Sequence, residues 1–171
     1  MCGLFGFLNY SGKNIKDLKN LTNSLAEQSA ERGTDATGIA FNGKGGMCVL
    51  KDAKSAFQIS FNHNDNVKAL IGHTRHSTQG SEKKDYNNHP FLGECKNAIF
   101  ALAHNGVLYN DDELKKEFHL PKTEVETDSY VAVQLLESKR KLNFDSVKYM
   151  AEQVRGSFSF SIVDDRNNIY L

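Results

Sequence analysis

Neither sign of charge is in excess: 21 Lys and Arg balance 21 Asp and Glu over 171 residues, for a formal net charge of zero. That balance argues against a chain built to coat nucleic acid or an anionic membrane, while leaving room for a local patch. Long apolar runs are also missing, and no stretch approaches the roughly 18 residues that a membrane-spanning helix needs. The start, Met1 to Leu8, carries no basic leader and no cleavage site, so no signal peptide is expected. Cysteine is scarce. Cys2, Cys48 and Cys95 make an odd number without metal-type spacing, and they suggest a reducing, cytoplasmic compartment. Internal repeats, low-complexity tracts and domain linkers are absent. So is a glycine-rich phosphate loop with its lysine, which leaves nothing to bind and activate a phosphorylated acceptor.

What is present is the ordinary composition of one globular domain, large enough to bury a core. Cys2 to Leu8 reads as a short strand buried on both faces. Ile15, Leu18, Leu21, Leu25 and Ala26 recur at helical spacing, and that helix should stop near Gly33. A polar loop, Arg32 to Gly38, leads into a strand at Ile39 to Phe41. Asn42 to Gly46 signals a hairpin, and Met47 to Lys51 returns. A short helix is expected somewhere in Asp52 to Asn66. Ala69-Leu70-Ile71 opens a strand that delivers Gly72 to Gly80, and Phe91-Leu92 is a short extended piece. Ala98 to Ala103 is an apolar strand running into His104-Asn105-Gly106. Asn110 to Glu113 starts a helix that Pro121 breaks. Thr127-Asp128 caps a second, and Asp145 to Val154 forms a third. Ser157 to Val163 alternates as a strand, and Ile169-Tyr170-Leu171 begins a return strand, so the chain is expected to be a fragment. This order suits an α+β fold with two antiparallel sheets sandwiched between helical layers.

Cys2 has a special position. Small second residues permit removal of the initiator methionine, after which Cys2 carries a thiol and a free α-amine on one residue. The amine has a reference pKa of about 7.7–8.0, suitable for a base beside a nucleophile. Six residues by themselves also fit a small buried cysteine on an apolar strand. Cys48 and Cys95 read as plain core or strand residues.

Cys2-Gly3, Arg32-Gly33-Thr34-Asp35-Ala36-Thr37-Gly38, Gly72-His73-Thr74-Arg75, His104-Asn105-Gly106 and Thr127-Asp128-Ser129 occur in that order. Together they resemble the glutaminase domain of class II glutamine amidotransferases, a group of N-terminal-nucleophile hydrolases. The resemblance runs from Cys2 to about Val163. It implies a four-layer α/β/β/α sandwich and hydrolysis of the side-chain amide of L-glutamine through a Cys2 γ-glutamyl thioester. Ammonia would pass to an acceptor-binding synthase domain or subunit. The whole of 1–171 would be one glutaminase domain, with the synthase part elsewhere. No cofactor, nucleic acid or membrane is implied, and nothing indicates an oligomeric state.

The chemistry of the residues runs beside the resemblance. Cys2 supplies nucleophile and base. An Asn105 side-chain amide and a Gly106 N–H can stabilise the tetrahedral oxygen, the role of the matching family positions, although Asn-Gly after a strand also reads as a turn. Arg75 suits a carboxylate, because a guanidinium binds it in a two-pronged fork. Asp128 suits an ammonium group, or alternatively caps a helix. The family uses the positions matching Arg75 and Asp128 for the two ends of free glutamine. Thr78 and His89 match family positions lining the same pocket. Arg32 matches one near the nucleophile, and as a bare residue also fits a surface site at a helix end.

His76 departs from the family, where sugar-phosphate-aminating members often carry tryptophan and purine-pathway members tyrosine. The surrounding Gly72 to Thr78 pattern stands slightly nearer the purine-pathway type. A zinc site built from His73, His76, His89, His104 and Cys2 finds little support, since no pair has ligand spacing. Two rival functions remain: an N-terminal-cysteine hydrolase of another amide, and a non-catalytic regulatory module that keeps the fold.

Overall fold

A computed structural model describes residues 2–63 and 66–171 of the chain. Met1, whose removal the sequence reading requires, lies outside the described residues, as do positions 64 and 65.

Eight strands make two four-stranded antiparallel sheets. The first holds β1 (Gly3–Leu8), β2 (Ala36–Gly43), β3 (Gly46–Asp52) and β4 (Ala69–Arg75), in the order β1-β4-β2-β3. The second holds β5 (Phe91–Cys95), β6 (Ala98–Leu108), β7 (Gly156–Asp164) and β8 (Ile169–Tyr170), in sequence order. Helix α1 (Leu18–Ser29) covers the first sheet; α2 (Asp111–Glu117), α3 (Tyr130–Ser138) and α4 (Phe144–Gln153) cover the second.

Three apolar layers follow from this order. Under α1, Leu18 and Ala26 meet Ile39, Phe41 and Leu70. Under α3 and α4, Val131, Leu135 and Met150 meet Phe100, Leu102 and Ile162. Between the sheets lie smaller side chains, Ala40, Ala69, Ile71, Ala101, Ala103 and Val163. Alternation decides which strand residue enters which layer. Along β4, Leu70 faces α1, whereas Ala69 and Ile71 face the second sheet. His73 and Arg75 continue that inner row. Along β6, Ala101 and Ala103 face the first sheet, and Asn105 is next in the row. One end of the space between the sheets is thus polar, and the rest is lined by apolar side chains.

Several elements differ from the sequence reading. β1 is only half-buried rather than covered on both faces, because it is an edge strand paired with β4 alone. Between Asp52 and Asn66 the described residues hold a single 3₁₀ turn, Ala56–Gln58, and not a longer helix. Helix α2 ends at Glu117, ahead of Pro121, where His119 takes a left-handed φ of 50°. Strand β6 does not stop before His104-Asn105-Gly106 but runs through to Leu108, so Asn105-Gly106 is no turn. Asp128 caps no helix: the N-cap of α3 is Ser129, and it makes no side-chain cap.

Candidate active site

Three strand ends and two loops meet at the polar end of the inter-sheet layer. Cys2 sits just before β1, and Gly3 pairs with Thr74 of β4. This register places the Cys2 thiol beside the turn after β4: its Sγ accepts from the His76 N–H at 3.4 Å and lies 3.5 Å from the His76 carbonyl. Arg32, at the end of the turn after α1, donates from Nε to the Cys2 carbonyl at 2.9 Å. The 33–35 loop can lie this close because residue 33 has no side chain: a Cβ there would fall 2.5 Å from the Arg75 carbonyl carbon. Asp35 then accepts from the Ser77 N–H at 2.7 Å, and its own N–H donates to the Arg75 carbonyl at 3.0 Å.

Arg75 is 3% exposed and makes no ion pair among the described residues; the carboxylates of Glu82, Asp35 and Asp128 act on it from beyond ion-pair distance. Its guanidinium donates to Asn88 Oδ1 at 2.6 Å and to the carbonyls of Gln79 and Gly80 at 2.7 and 2.8 Å. These neutral acceptors orient the cation without neutralising it, which suits an anionic ligand. Asp128, 6% exposed, has the complementary character. It accepts from the Leu108 N–H at 2.6 Å and from the Ser129 hydroxyl at 3.3 Å, both neutral donors. Its loop is tied to the one after β4 by Gln79, which donates to the Glu126 carbonyl at 3.0 Å, and by Asn87 Oδ1, which accepts from the Glu126 N–H at 2.8 Å.

Cys2, His76, Thr78 and Gly106 border two connected spaces. One is an open cleft of about 450 Å³, walled also by Asn105, Val107 and the start of β7. The other is an inner recess of about 20 Å³ that includes Arg75, His89, His104 and Asp128. All eight residues singled out in the sequence therefore lie in one neighbourhood. Cys2, Thr78 and Gly106 border both spaces, Asn105 the outer cleft, and Arg75, His89 and Asp128 the recess. Arg32 braces Cys2 from its carbonyl side.

Burial pushes the Cys2 thiol up; the His76 N–H and the Arg75 cation pull it back, and the Asp128 carboxylate adds to the rise. The net displacement is upward. The sulfur therefore rests as a thiol near neutrality, and attack requires a base to take its proton.

His73 and His104, which the sequence reading weighed only as zinc ligands, pack with His89 in the floor. His73 donates from Nε2 to the His104 carbonyl at 3.0 Å, and the His104 Nδ1 meets the Ser129 hydroxyl at 2.7 Å. The His89 ring lies 4.3 Å from both the His73 ring and the Phe91 ring, with neither nitrogen hydrogen-bonded. His76, by contrast, is exposed beyond the strand end. Among the described residues no group of three His, Cys, Asp or Glu is placed to hold a metal ion. No sequence signal marks these histidines as stacked, because β4, β6 and the 88–90 segment are joined only by the fold.

All three buried histidines are held neutral, chiefly by burial, with His73 brought down to about 3. The unfolded chain takes up a proton on each near 6.5, whereas in the folded chain His73 refuses it until about 3. The stability that His73 contributes is therefore full above about 6.5 and falls as pH drops toward about 3, by about 1.4 kcal/mol per pH unit, with His89 and His104 acting in the same direction. Urea midpoints measured from pH 7 to pH 5 should decline steeply, and His73→Gln should flatten the slope. An unchanged slope would show that His73 does not carry this linkage.

Comparison with known proteins gives concordant findings. Residues 73–171 match the profile of the glutamine amidotransferase domain. Glutamine–fructose-6-phosphate aminotransferase (isomerizing) of Bacillus thuringiensis is 32% identical over 173 residues, covering 98% of this chain and 28% of that protein. The enzyme of the same name from Fusobacterium nucleatum is 34% identical over 170 residues, covering 95% of this chain and 27% of that protein. The chain thus spans less than a third of the length of these relatives. Among solved structures, an allosteric regulatory enzyme of purine biosynthesis superposes with a TM-score of 0.74 at 24% identity, covering 96% of this chain and 36% of that one. Glutamine phosphoribosylpyrophosphate amidotransferase from B. subtilis, complexed with ADP and GMP, gives 0.69 at 25% identity, covering 96% and 35%.

Proposed function

Because this chain belongs to the glutamine amidotransferase domain family and has its N-terminal-nucleophile hydrolase fold, we propose that it is a glutaminase domain spanning 1–171. It splits the side-chain amide of L-glutamine into glutamate and ammonia. The observation that carries this reading is a nucleophile and two opposite charges around one recess. Cys2, the cation of Arg75 and the anion of Asp128 all border it, and among the described residues neither charge has an ion-pair partner. A free amino acid presents the complementary pair, an α-carboxylate and an α-ammonium group.

In this account Arg75 takes the carboxylate and Asp128 the ammonium group, while Thr78 and His89 line the pocket between them. The side-chain amide then points at Cys2. Once Met1 is removed, the α-amine of Cys2 takes the thiol proton as sulfur attacks the amide carbon. Asn105 and Gly106 stabilise the tetrahedral oxygen. Collapse releases ammonia, the proton passing from the amine to the leaving nitrogen, and leaves a γ-glutamyl thioester. Water, activated by the same amine, hydrolyses the thioester to glutamate and the free thiol. The recess as it stands has room for about one water, so binding has to widen it. The exposed side chains of His76 and Thr78 form the wall that yields.

Ammonia needs an acceptor, and the relatives named as aminotransferases are more than three times as long as this chain. An acceptor-binding synthase domain or subunit is the partner that follows. The described residues contain no helix long and apolar enough to cross a membrane, and a cytoplasmic setting suits the free thiol.

Arg75→Lys tests the substrate. Lysine keeps the charge but loses the fork, so KM for L-glutamine should rise about 10- to 100-fold while kcat changes little. Steady-state glutamate release reads both numbers. An unchanged KM would remove Arg75 from the carboxylate site, and free glutamine with it.

A further inference from the structure

We propose that Lys51 is a positioning residue for the amino-acid end of the substrate: by gripping the backbone on both sides of His89, it holds Asn88 and His89 against Arg75. The inference rests on the reading of Arg75 as carboxylate anchor.

Lys51 stands on β3 in the inner row after Met47 and Val49, which pack against the inter-sheet layer. Its ammonium group reaches toward the second sheet, donating to the Asn88 carbonyl at 2.7 Å and more weakly to the Pro90 carbonyl at 3.4 Å. It also lies 5.3 Å from the centre of the Phe91 ring. Asn88 is thereby held twice. Its backbone carbonyl accepts from Lys51, and its side-chain oxygen accepts from Arg75 Nη1 at 2.6 Å. Between the two gripped carbonyls lies His89, whose ring, with neither nitrogen hydrogen-bonded among the described residues, borders the recess. Lys51 touches neither space, yet the acceptor of Arg75 and one wall of the recess hang from it.

A lysine in this place is not explained by stability. No carboxylate lies within ion-pair distance of it among the described residues. The charges that face it are Asp85, from the turn at 85–87, and Arg75, from β4; His89 is held neutral beside it, and its strand neighbour Asp52 pairs with Lys54. Burial, the largest influence, pulls the ammonium group down to about 8, with Arg75 acting in the same direction and Asp85 opposing. A half-sheltered cation bonded only to carbonyls is disfavoured as an ion. Such an arrangement is tolerated where a site needs a directional, charge-assisted donor. The sign of the pH effect follows: the grip is full below about 8 and weakens as pH rises through it.

The test is calorimetric titration of L-glutamine into the full chain carrying Cys2→Ala, which prevents turnover. Parent, Lys51→Met and Lys51→Gln are compared at pH 7 and pH 9.5. Met fills the same space without a donor; Gln keeps a neutral donor and remains informative should the Met variant fail to fold. At pH 7 the Met variant should bind about tenfold more weakly than the parent, with Gln between them. At pH 9.5 that ratio should shrink toward one, because the parent has lost its charge. Ionisation of glutamine itself cancels in the ratio. Variants that match a glutamine-binding parent at pH 7, or a ratio that stays the same at pH 9.5, overturn this inference alone. A parent that binds no L-glutamine overturns the glutaminase reading, and this inference with it.

Discussion

Cys2→Ala should abolish glutamate release, by more than about 10⁴-fold in kcat, while L-glutamine still binds. The loss is this large because the reaction is split into two steps by a covalent intermediate that only the thiol can form. The cleft also presents Ser157 and Ser159, but on β7, with no base assigned to either. Binding survives because the two charges proposed to recognise the substrate, Arg75 and Asp128, do not depend on the sulfur: both are oriented by carbonyl, amide and hydroxyl groups elsewhere. Folding survives as well, since among the described residues the hydrogen bonds of the sulfur go to the backbone of His76 alone, at 3.4 and 3.5 Å. Alanine in second place also permits removal of Met1, so processing stays matched between the two proteins. Parallel assays of turnover and of glutamine binding check the result. Substantial turnover by Cys2→Ala would contradict it.

Asn105→Ala should lower kcat about 10²- to 10³-fold and leave KM within about twofold. Asn105 is the next inner-row residue of β6 after Ala101 and Ala103, so its amide is delivered to the mouth of the inter-sheet layer by strand periodicity. It borders the outer cleft with Cys2, and its side-chain amide makes no hydrogen bond among the described residues, which leaves its N–H free for an oxygen that gains charge during attack. The next residue fixes the local backbone. Gly106 has φ 148°, and a Cβ there would lie 1.9 Å from the Ser157 carbonyl, so no other residue fits without moving β7. A donor that acts only on the transition state changes kcat and spares KM. Equal losses in kcat and KM would show instead that Asn105 binds ground-state glutamine.

The fold class was readable because periodicity and turn chemistry agree along most of the chain. The Asn42 to Gly46 hairpin, the helix stopping by Gly33 and the alternation in 157–163 all signal themselves locally. The misreadings share one cause. β1 looks fully buried because its residues are apolar, yet edge position is a property of sheet order, which no local pattern carries. Asn105-Gly106 has turn composition but lies in mid-strand, where pairing with Ser159 and Phe158 outweighs the local preference. Asp128 has the composition of a helix cap but accepts from Leu108, twenty positions away, so its carboxylate answers to the site and not to α3. Six of the eight candidate site residues, Cys2, Arg32, Arg75, Asn105, Gly106 and Asp128, lie in the ordered set of motifs, and Thr78 and His89 were expected from matching family positions. Their supports were not: Asn88 on Arg75, Ser129 on His104 and Lys51 on Asn88 are ordinary polar residues whose roles arise only when the two sheets close.

The central claim is that Cys2 attacks the side-chain carbon of bound glutamine. The most direct measurement is covalent trapping with a glutamine analogue carrying a diazoketone in place of the amide. The chain, with Met1 removed, is incubated with the analogue and examined by intact mass and peptide mapping. One adduct should form on Cys2, protected by excess L-glutamine, with Cys48 and Cys95 unmodified. A processed chain that stays unlabelled, or one labelled at Cys48 or Cys95 instead, would contradict the account.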